Sequence, residues 1–262
     1  MTEAANVSPF AGRFGGLARL YGTGPTMRLA RAHVAVIGLG GVGSWAVEAL
    51  ARSGVGRLTL VDLDDVCESN VNRQLHALDG TLGRGKAEVL AERVRAIHPG
   101  CDVRPVAEFF TEVTAERLLA PGHDAVLDAI DVVRNKALLL ARCRARGIPA
   151  VTCGAAGGRR DPTRLRTRDL AEATHDRLLG EVRRVLRRDH GLPDAPSALD
   201  IRAVFSTEPA VFPQADGTVG AERNKPGGAR RLNCDAGYGT AAFVTGAFGL
   251  AAAAETVRLL TA

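Results

Sequence analysis

HVAVIGLGGVGSWAVEALARSGVGRLTLVD, residues 33–62, is the stretch that decides the fold. The apolar run over 34–38 enters a glycine cluster, as a buried strand does on its way into a tight turn. From Ser44 to Ser53, Trp45, Val47, Ala49 and Leu50 recur at helical spacing, and the apolar run 57–62 is a second buried strand. Between the first strand and the helix, Gly38, Gly40 and Gly43 form G-x-G-x-x-G, with Gly41 in the same turn. The first glycine permits the turn, the second lets a phosphate approach the backbone, and the third lets the helix pack on the strand. A helix N-terminus also favours the phosphate charge. The spacing predicts a bound nucleotide over Gly38 to Gly43; the alternative is a tight turn with no ligand.

Downstream, a helix is expected over 86–98, closed by Pro99-Gly100, then a strand over 103–108. A short helix follows over 114–119 with Thr114 as its cap, then a strand at 125–129, a helix at 133–146 and a strand at 150–153. The alternation predicts an α/β fold: a doubly wound, mainly parallel Rossmann-like sheet that holds ligands beyond the carboxyl ends of its strands. After residue 153 the pattern changes. Residues 155–169 are rich in Gly and Arg, 174–189 read as an arginine-rich helix, and 191–200 and 214–231 as loops. A strand is expected over 201–205 and a last helix over 250–260. The chain thus divides into an N-terminal arm and helix (1–30), a nucleotide-binding Rossmann-like region (31–154) and a C-terminal elaboration of the same domain (155–262).

The 262 residues suffice for one generous α/β domain. With 46% hydrophobic residues, 4% aromatics and 30 glycines, the core must be built from small aliphatic side chains with close backbone contacts. The net charge of +5 suits a polyanionic partner, or merely reflects a taste for arginine. Cys67, Cys101, Cys143, Cys153 and Cys234 form no C-x-x-C pair, so a structural zinc is not expected and a reducing cytoplasm is the natural setting. The N-terminus lacks the charged start and apolar block of a signal peptide. The apolar run 241–254 is broken by Thr245 and Gly246 and reads as a buried helix, with peripheral membrane association the weaker alternative.

Asp62 ends the second strand, where an acidic residue meets ribose hydroxyls. The following residues bring Asp64, Asn70, Asn72, Arg73 and Gln74 to one edge of the sheet, and Lys86 opens the next helix. A dinucleotide such as NAD carries a diphosphate and needs few cations. A triphosphate needs cationic donors at its distal end and a carboxylate for magnesium. Arg73 and Lys86 fit the first role and Asp131 the second, which favours ATP with Mg2+; no hydride-transfer constellation is present.

VIGLGGVGS, VDLDDVCESNVNRQ, GRGKAE and VLDAIDVVRNK together resemble the ThiF/MoeB superfamily, bacterial relatives of ubiquitin-activating enzymes that adenylate a carboxylate. RFGGLARLYG, NVNRQLHAL, FSTEPAVFPQADGT and NCDAGYGTAAFVTGAFG are similar to the branch that dehydrates threonylcarbamoyladenosine in tRNA, from about residue 12 to the C-terminus. Asn135 stands where that branch would have proline, and the 214–231 loop matches weakly. The resemblance implies that Gly41 and its neighbours contact the adenylyl phosphates, Asp62 the ribose, Asn70, Arg73 and Lys86 the polyphosphate, and Asp131 the magnesium. It implies that Arg13 is supplied across the interface of a homodimer. Cys234 reads two ways: a persulfide- or thioester-forming residue, as in sulfur-handling relatives, or a small buried residue at a helix start. A cysteine-desulfurase or sulfur-acceptor partner and a bound monovalent cation are left open. Rival readings are an adenylyltransferase for a ubiquitin-like sulfur carrier and a nucleotide-binding component of a desulfurase relay.

The tRNA is expected to follow the arginines. Between 155 and 190, ten arginines face six carboxylates, an excess of four positive charges. Charge reversal at Arg183 and Arg184 is expected to weaken tRNA binding and spare ATP, unless these residues form only a solvated helix face.

Overall fold

A computed structural model describes residues 9–193, 198–214, 216–222 and 239–262. Helices α1 (Pro9–Tyr21) and α2 (Thr23–Arg31) lead into β1 (His33–Ile37), α3 (Gly43–Arg52) and β2 (Arg57–Val61). There follow α4 (Lys86–Ile97), β3 (Asp102–Val106), α5 (Ala115–Leu119), β4 (Ala125–Asp128), α6 (Val133–Ala145) and β5 (Ala150–Cys153). The C-terminal part supplies β6 (Leu165–Asp169), α7 (Arg177–His190), β7 (Arg202–Ser206), the short pair β8 (Phe212–Pro213) and β9 (Val219–Gly220), and α8 (Ala242–Thr261).

Seven strands form one sheet in the order β3-β2-β1-β4-β5-β7-β6. All neighbours are parallel except β6, which runs antiparallel to β7 at the edge. The sheet is therefore doubly wound and mainly parallel, as the alternation predicts. β1 is buried along its whole length, as a central strand covered on both faces must be. One face packs Leu50, Leu90 and Phe248 from α3, α4 and α8; the other packs Leu118, Leu139 and Leu186 from α5, α6 and α7.

Three expectations are corrected. The buried helix expected over 241–254 and the last helix expected over 250–260 are one continuous helix, α8, which begins at Ala242. Gly246 and Gly249 lower helix propensity and suggest a break, but packing demands them. A Cβ on Gly249 would lie 2.4 Å from the Val42 carbonyl oxygen, and one on Gly246 would touch Trp45. α8 is long and apolar enough to cross a membrane, yet Val244, Phe248, Ala252, Ala253 and Val257 bury its inner face in the core. Thr114 sits at the start of α5 without capping it: its hydroxyl accepts from the Thr111 amide (2.9 Å) and donates to the Phe109 carbonyl (2.7 Å), closing the preceding loop instead. β3 stops at Val106, because the Glu108 amide turns back onto the Val106 carbonyl.

Buried histidines mark the amino ends of the strands. His33 and His123 stack edge-on with centroids 4.4 Å apart, and His33 Nε2 bonds Thr59 Oγ1 at 2.8 Å. Burial and the neighbouring His123 lower the His33 pKa to about 4, and burial also lowers His98 and His123. These groups bind fewer protons folded than unfolded, so their contribution is complete above about pH 6.5 and is lost as pH falls toward 4. The melting temperature is expected to drop between about pH 7 and 5. His33→Gln, which keeps a partner for Thr59 and removes a titrating ring, should show a smaller drop in paired thermal melts.

Candidate functional site

The glycine turn is fixed by backbone contact. Gly38 has φ of 88°, and a Cβ there would lie 2.8 Å from the Ala129 carbonyl oxygen. A Cβ on Gly43 would come within 1.8 Å of the Gly38 carbonyl oxygen, a position only glycine can fill. α3 starts at Gly43, so its free amides face the turn and offer an anion a partial positive charge.

Asp62 closes the turn from β2. Its Oδ2 accepts from the Leu39 amide at 2.6 Å and its Oδ1 from the Asp64 amide at 2.9 Å. Burial raises its pKa, opposed by these two amides and by the charge of Lys86. Each oxygen retains a lone pair beyond the one amide it accepts, so the carboxylate is built to receive hydroxyl donors.

The loop from Asp64 to Gln74 lies across the turn. The Arg73 carbonyl accepts from Trp45 Nε1 (3.1 Å) and from the Thr245 hydroxyl (3.2 Å), which pins the loop to α3 and α8. The Arg73 guanidinium donates to the Ser69 carbonyl and to Asn72 Oδ1. Asn70 is buried and its side-chain oxygen accepts from the Cys67 amide; Asn72 donates to the Thr240 carbonyl. Gln74 is buried over Gly40, and its Oε1 has no hydrogen-bond partner among the described residues. Lys86, at the start of α4, is buried with Nζ 2.9 Å from Asp64 Oδ2, a carboxylate about half exposed. Burial and the charge of Lys86 lower the His76 pKa to about 4, so this ring is neutral. Two helix N-termini, a buried lysine and an arginine thus meet one sheet edge, an arrangement suited to several phosphates.

A buried ion pair orders the neighbouring edge. Asp128 and Lys136 are both fully buried, with Nζ 2.9 Å from Oδ2. Lys136 also donates to the Ile130 carbonyl, while Asp128 accepts from the Ile130 amide (3.0 Å) and the Thr152 hydroxyl (2.7 Å). The pair shapes the chain at Ala129 and Ile130, against which Gly38 packs, and delivers the exposed Asp131 one residue later. Neither Lys136 nor Thr245 was singled out from the sequence. The signal for Thr245 was an isolated polar residue within an otherwise apolar run, whereas Lys136 follows Arg134 and Asn135 and carried no such signal.

Arg13 is not brought to this edge within one chain. Its guanidinium donates to the Ile97 carbonyl at the C-terminus of α4, about 17 Å along the helix from Lys86. Cys234 lies outside the described residues. Of the arginines between 155 and 190, Arg183 is partly buried and donates to the carbonyls of Leu170 (3.0 Å) and Ala173 (2.6 Å). It ties α7 to the segment after β6, so reversing its charge would loosen the fold as well as remove a cation from the helix.

The ThiF family pattern matches residues 16–262. The chain is 47% identical over 251 residues to the tRNA threonylcarbamoyladenosine dehydratase of Escherichia coli, covering 95% of this chain and 94% of that one. It is 44% identical over 261 residues to the Haemophilus influenzae protein of the same name, covering 99% and 97%. The crystal structure of the Escherichia coli dehydratase, TcdA, in complex with ATP superposes with a TM-score of 0.85 at 42% identity, covering 97% of this chain and 96% of that one.

Removing one partner of a buried ion pair costs about 3–5 kcal/mol. Lys136→Met is therefore expected to lower the melting temperature by roughly 10 °C. Asp128→Asn combined with Lys136→Met leaves no unpaired charge and should recover part of that loss, measured by thermal denaturation of the two variants side by side.

Proposed function

The chain belongs to the ThiF family, and from that premise we propose that it dehydrates threonylcarbamoyladenosine in tRNA, using ATP to adenylate the threonyl carboxylate. The observation that carries this reading is the near end-to-end similarity to dehydratases of that name, on a chain whose glycine turn is ringed by the polar set described above. A free carboxylate is a poor electrophile, because it is an anion with no leaving group. Its attack on the α-phosphorus of ATP gives an acyl adenylate and releases pyrophosphate. The carbamoyl group of the same nucleoside then attacks the activated carbonyl, a ring closes and AMP leaves, so that the nucleoside loses one water. Tethering gives that second step an effective concentration on the order of 10⁵ M or more, so no protein nucleophile is needed.

In this proposal the Gly38 to Gly43 turn, with Gly40 and Gly41, holds the adenylyl phosphate, and Asp62 the ribose. Asn70, Arg73 and Lys86 hold the polyphosphate, with Asp64 and Gln74 beside them. The donor set fits ATP: Gly38 and Gly43 leave no room for side chains, and the buried Gln74 Oε1 has no donor among the described residues. Among the described residues no cluster of three metal-ligating side chains exists. Magnesium would therefore be held by the phosphates with Asp131, as this ion usually is. Arg13 reaches the site from a second copy, since its own chain holds it at the far end of α4. The protein works as a homodimer in the cytoplasm, with Cys234 in a non-covalent role.

Incubation of modified tRNA with ATP is expected to yield a nucleoside lighter by one water. AMP should form with modified tRNA, and not with unmodified tRNA or a ubiquitin-like carrier protein. AMP formation that depended on the carrier instead would overturn the reading. Lys86→Ala is expected to slow the reaction by about a hundredfold or more, whereas Cys234→Ser should retain dehydration.

A further inference from the structure

The arginines of the C-terminal part are not equivalent. On α7, Arg184 pairs with Glu181 at 2.7 Å and Arg188 with Asp189 at 2.6 Å. Arg183 caps carbonyls, and Arg187 donates to the Pro193 carbonyl. Of the five arginines on α7, two thus stand in ion pairs and two donate to carbonyls, while Arg177 at its start is exposed. On β6 the alternation places Arg166 and Arg168 outward and exposed, while Leu165 packs on the core. Among the described residues their side chains bond only to the carbonyls of their own preceding residues, Leu165 and Thr167, and neither forms an ion pair.

Register fixes where these two side chains lie. Arg166 stands opposite Phe205 and Arg168 opposite Ala203, both packed in the layer that α7 covers. Directly opposed residues share a face, so the two guanidiniums extend that layer beyond α7 at the open edge of the sheet. Alternate residues of a strand are about 6.7 Å apart, a separation commensurate with successive phosphates of one nucleic-acid strand. Because β6 is antiparallel, its start at Leu165 pairs with Ser206 at the carboxyl end of β7. The exposed Arg164, which donates to the Thr207 carbonyl, therefore continues the row to the sheet edge that carries the glycine turn. Four strand spacings separate β1 from β6, roughly 19 Å. A nucleotide reacting over the glycine turn after β1 and backbone phosphates several residues away in the same folded RNA can be met at once across that distance.

We infer that the β6 edge, through Arg166 and Arg168 with Arg164 at its head, grips the tRNA sugar–phosphate backbone, and that α7 does not. The inference rests on the reading of tRNA as substrate. Arg166 and Arg168 are exposed, evenly spaced and outside any ion pair among the described residues, and their row leads to the reactive edge.

The test is Arg166→Glu/Arg168→Glu in the full chain, against Arg184→Glu/Arg188→Glu, with tRNA carrying threonylcarbamoyladenosine as the probe. The β6 variant is expected to weaken tRNA binding by about tenfold or more and to reduce the slope of log affinity against log salt by about 1.5, the loss of two phosphate contacts. Its affinity for ATP and its melting temperature should match the parent. The α7 variant should weaken tRNA binding by less than about threefold. Unchanged tRNA affinity in the β6 variant, or a larger loss in the α7 variant, overturns the assignment. Failure of the parent protein itself to dehydrate modified tRNA sinks the reading of the substrate instead, so the two failures are distinguishable.

Discussion

The 1.8 Å separation that a Cβ on Gly43 would have from the Gly38 carbonyl is the constraint on which the rest of the structure hangs. It sets how closely α3 can approach β1, and so how directly the helix amides face the turn. It also couples the turn to its surroundings. Gly38 lies against the Ala129 carbonyl, and Gly41 against Thr245 and Arg73. Elements far apart in sequence, β4, α8 and the loop after β2, are therefore packed on a few glycines. Abundant Gly and Ala in the composition are the global expression of the same requirement. Layers that approach this closely leave little room for large side chains at their contacts.

Around that turn, charge is placed by burial as much as by sequence. Asp62 sits in a desolvated position that raises its pKa, yet two backbone amides and Lys86 pull the other way. Asp128 and Lys136 neutralise each other completely inside the core. Such a pair is weak evidence for added stability, because desolvation offsets attraction. What it provides is definition: with the Ile130 amide and carbonyl and the Thr152 hydroxyl as partners, it admits one path for the chain between β4 and Asp131.

Much of this was legible in the chain itself. The period of the apolar residues gives β1, α3, β2 and α4 nearly to the residue, because each is a buried element with a clear boundary at glycine or proline. The strand-end polar residues Asp62, Asn70, Arg73 and Lys86 could be placed on one edge because a parallel sheet aligns its carboxyl ends. What escaped depended on partners distant in sequence. The continuity of α8 was hidden because Gly246 and Gly249 look like breaks until Trp45 and Val42 are seen against them. Lys136 stands out for nothing in the sequence, and its role shows only with Asp128 Oδ2 2.9 Å from its Nζ. Arg183 looked like a surface charge, whereas two carbonyls hold it.

The arginines carry the same lesson to the surface. Counting charges along 155–190 gives a basic segment, but a count cannot tell a neutralised guanidinium from a free one. A helix places Glu181 beside Arg184 through its three-residue repeat, so an arginine-rich helix tends to quench itself where carboxylates are interspersed. An edge strand does the opposite. Its period of two sends alternate residues to opposite faces, and the run from Leu165 to Asp169 puts its arginines on one face and its acidic residue on the other. Sheet geometry therefore concentrates charge of one sign where helix geometry mixes it. Of the two basic segments, the one with fewer arginines has neither in an ion pair among the described residues, whereas two of the five on α7 are in one.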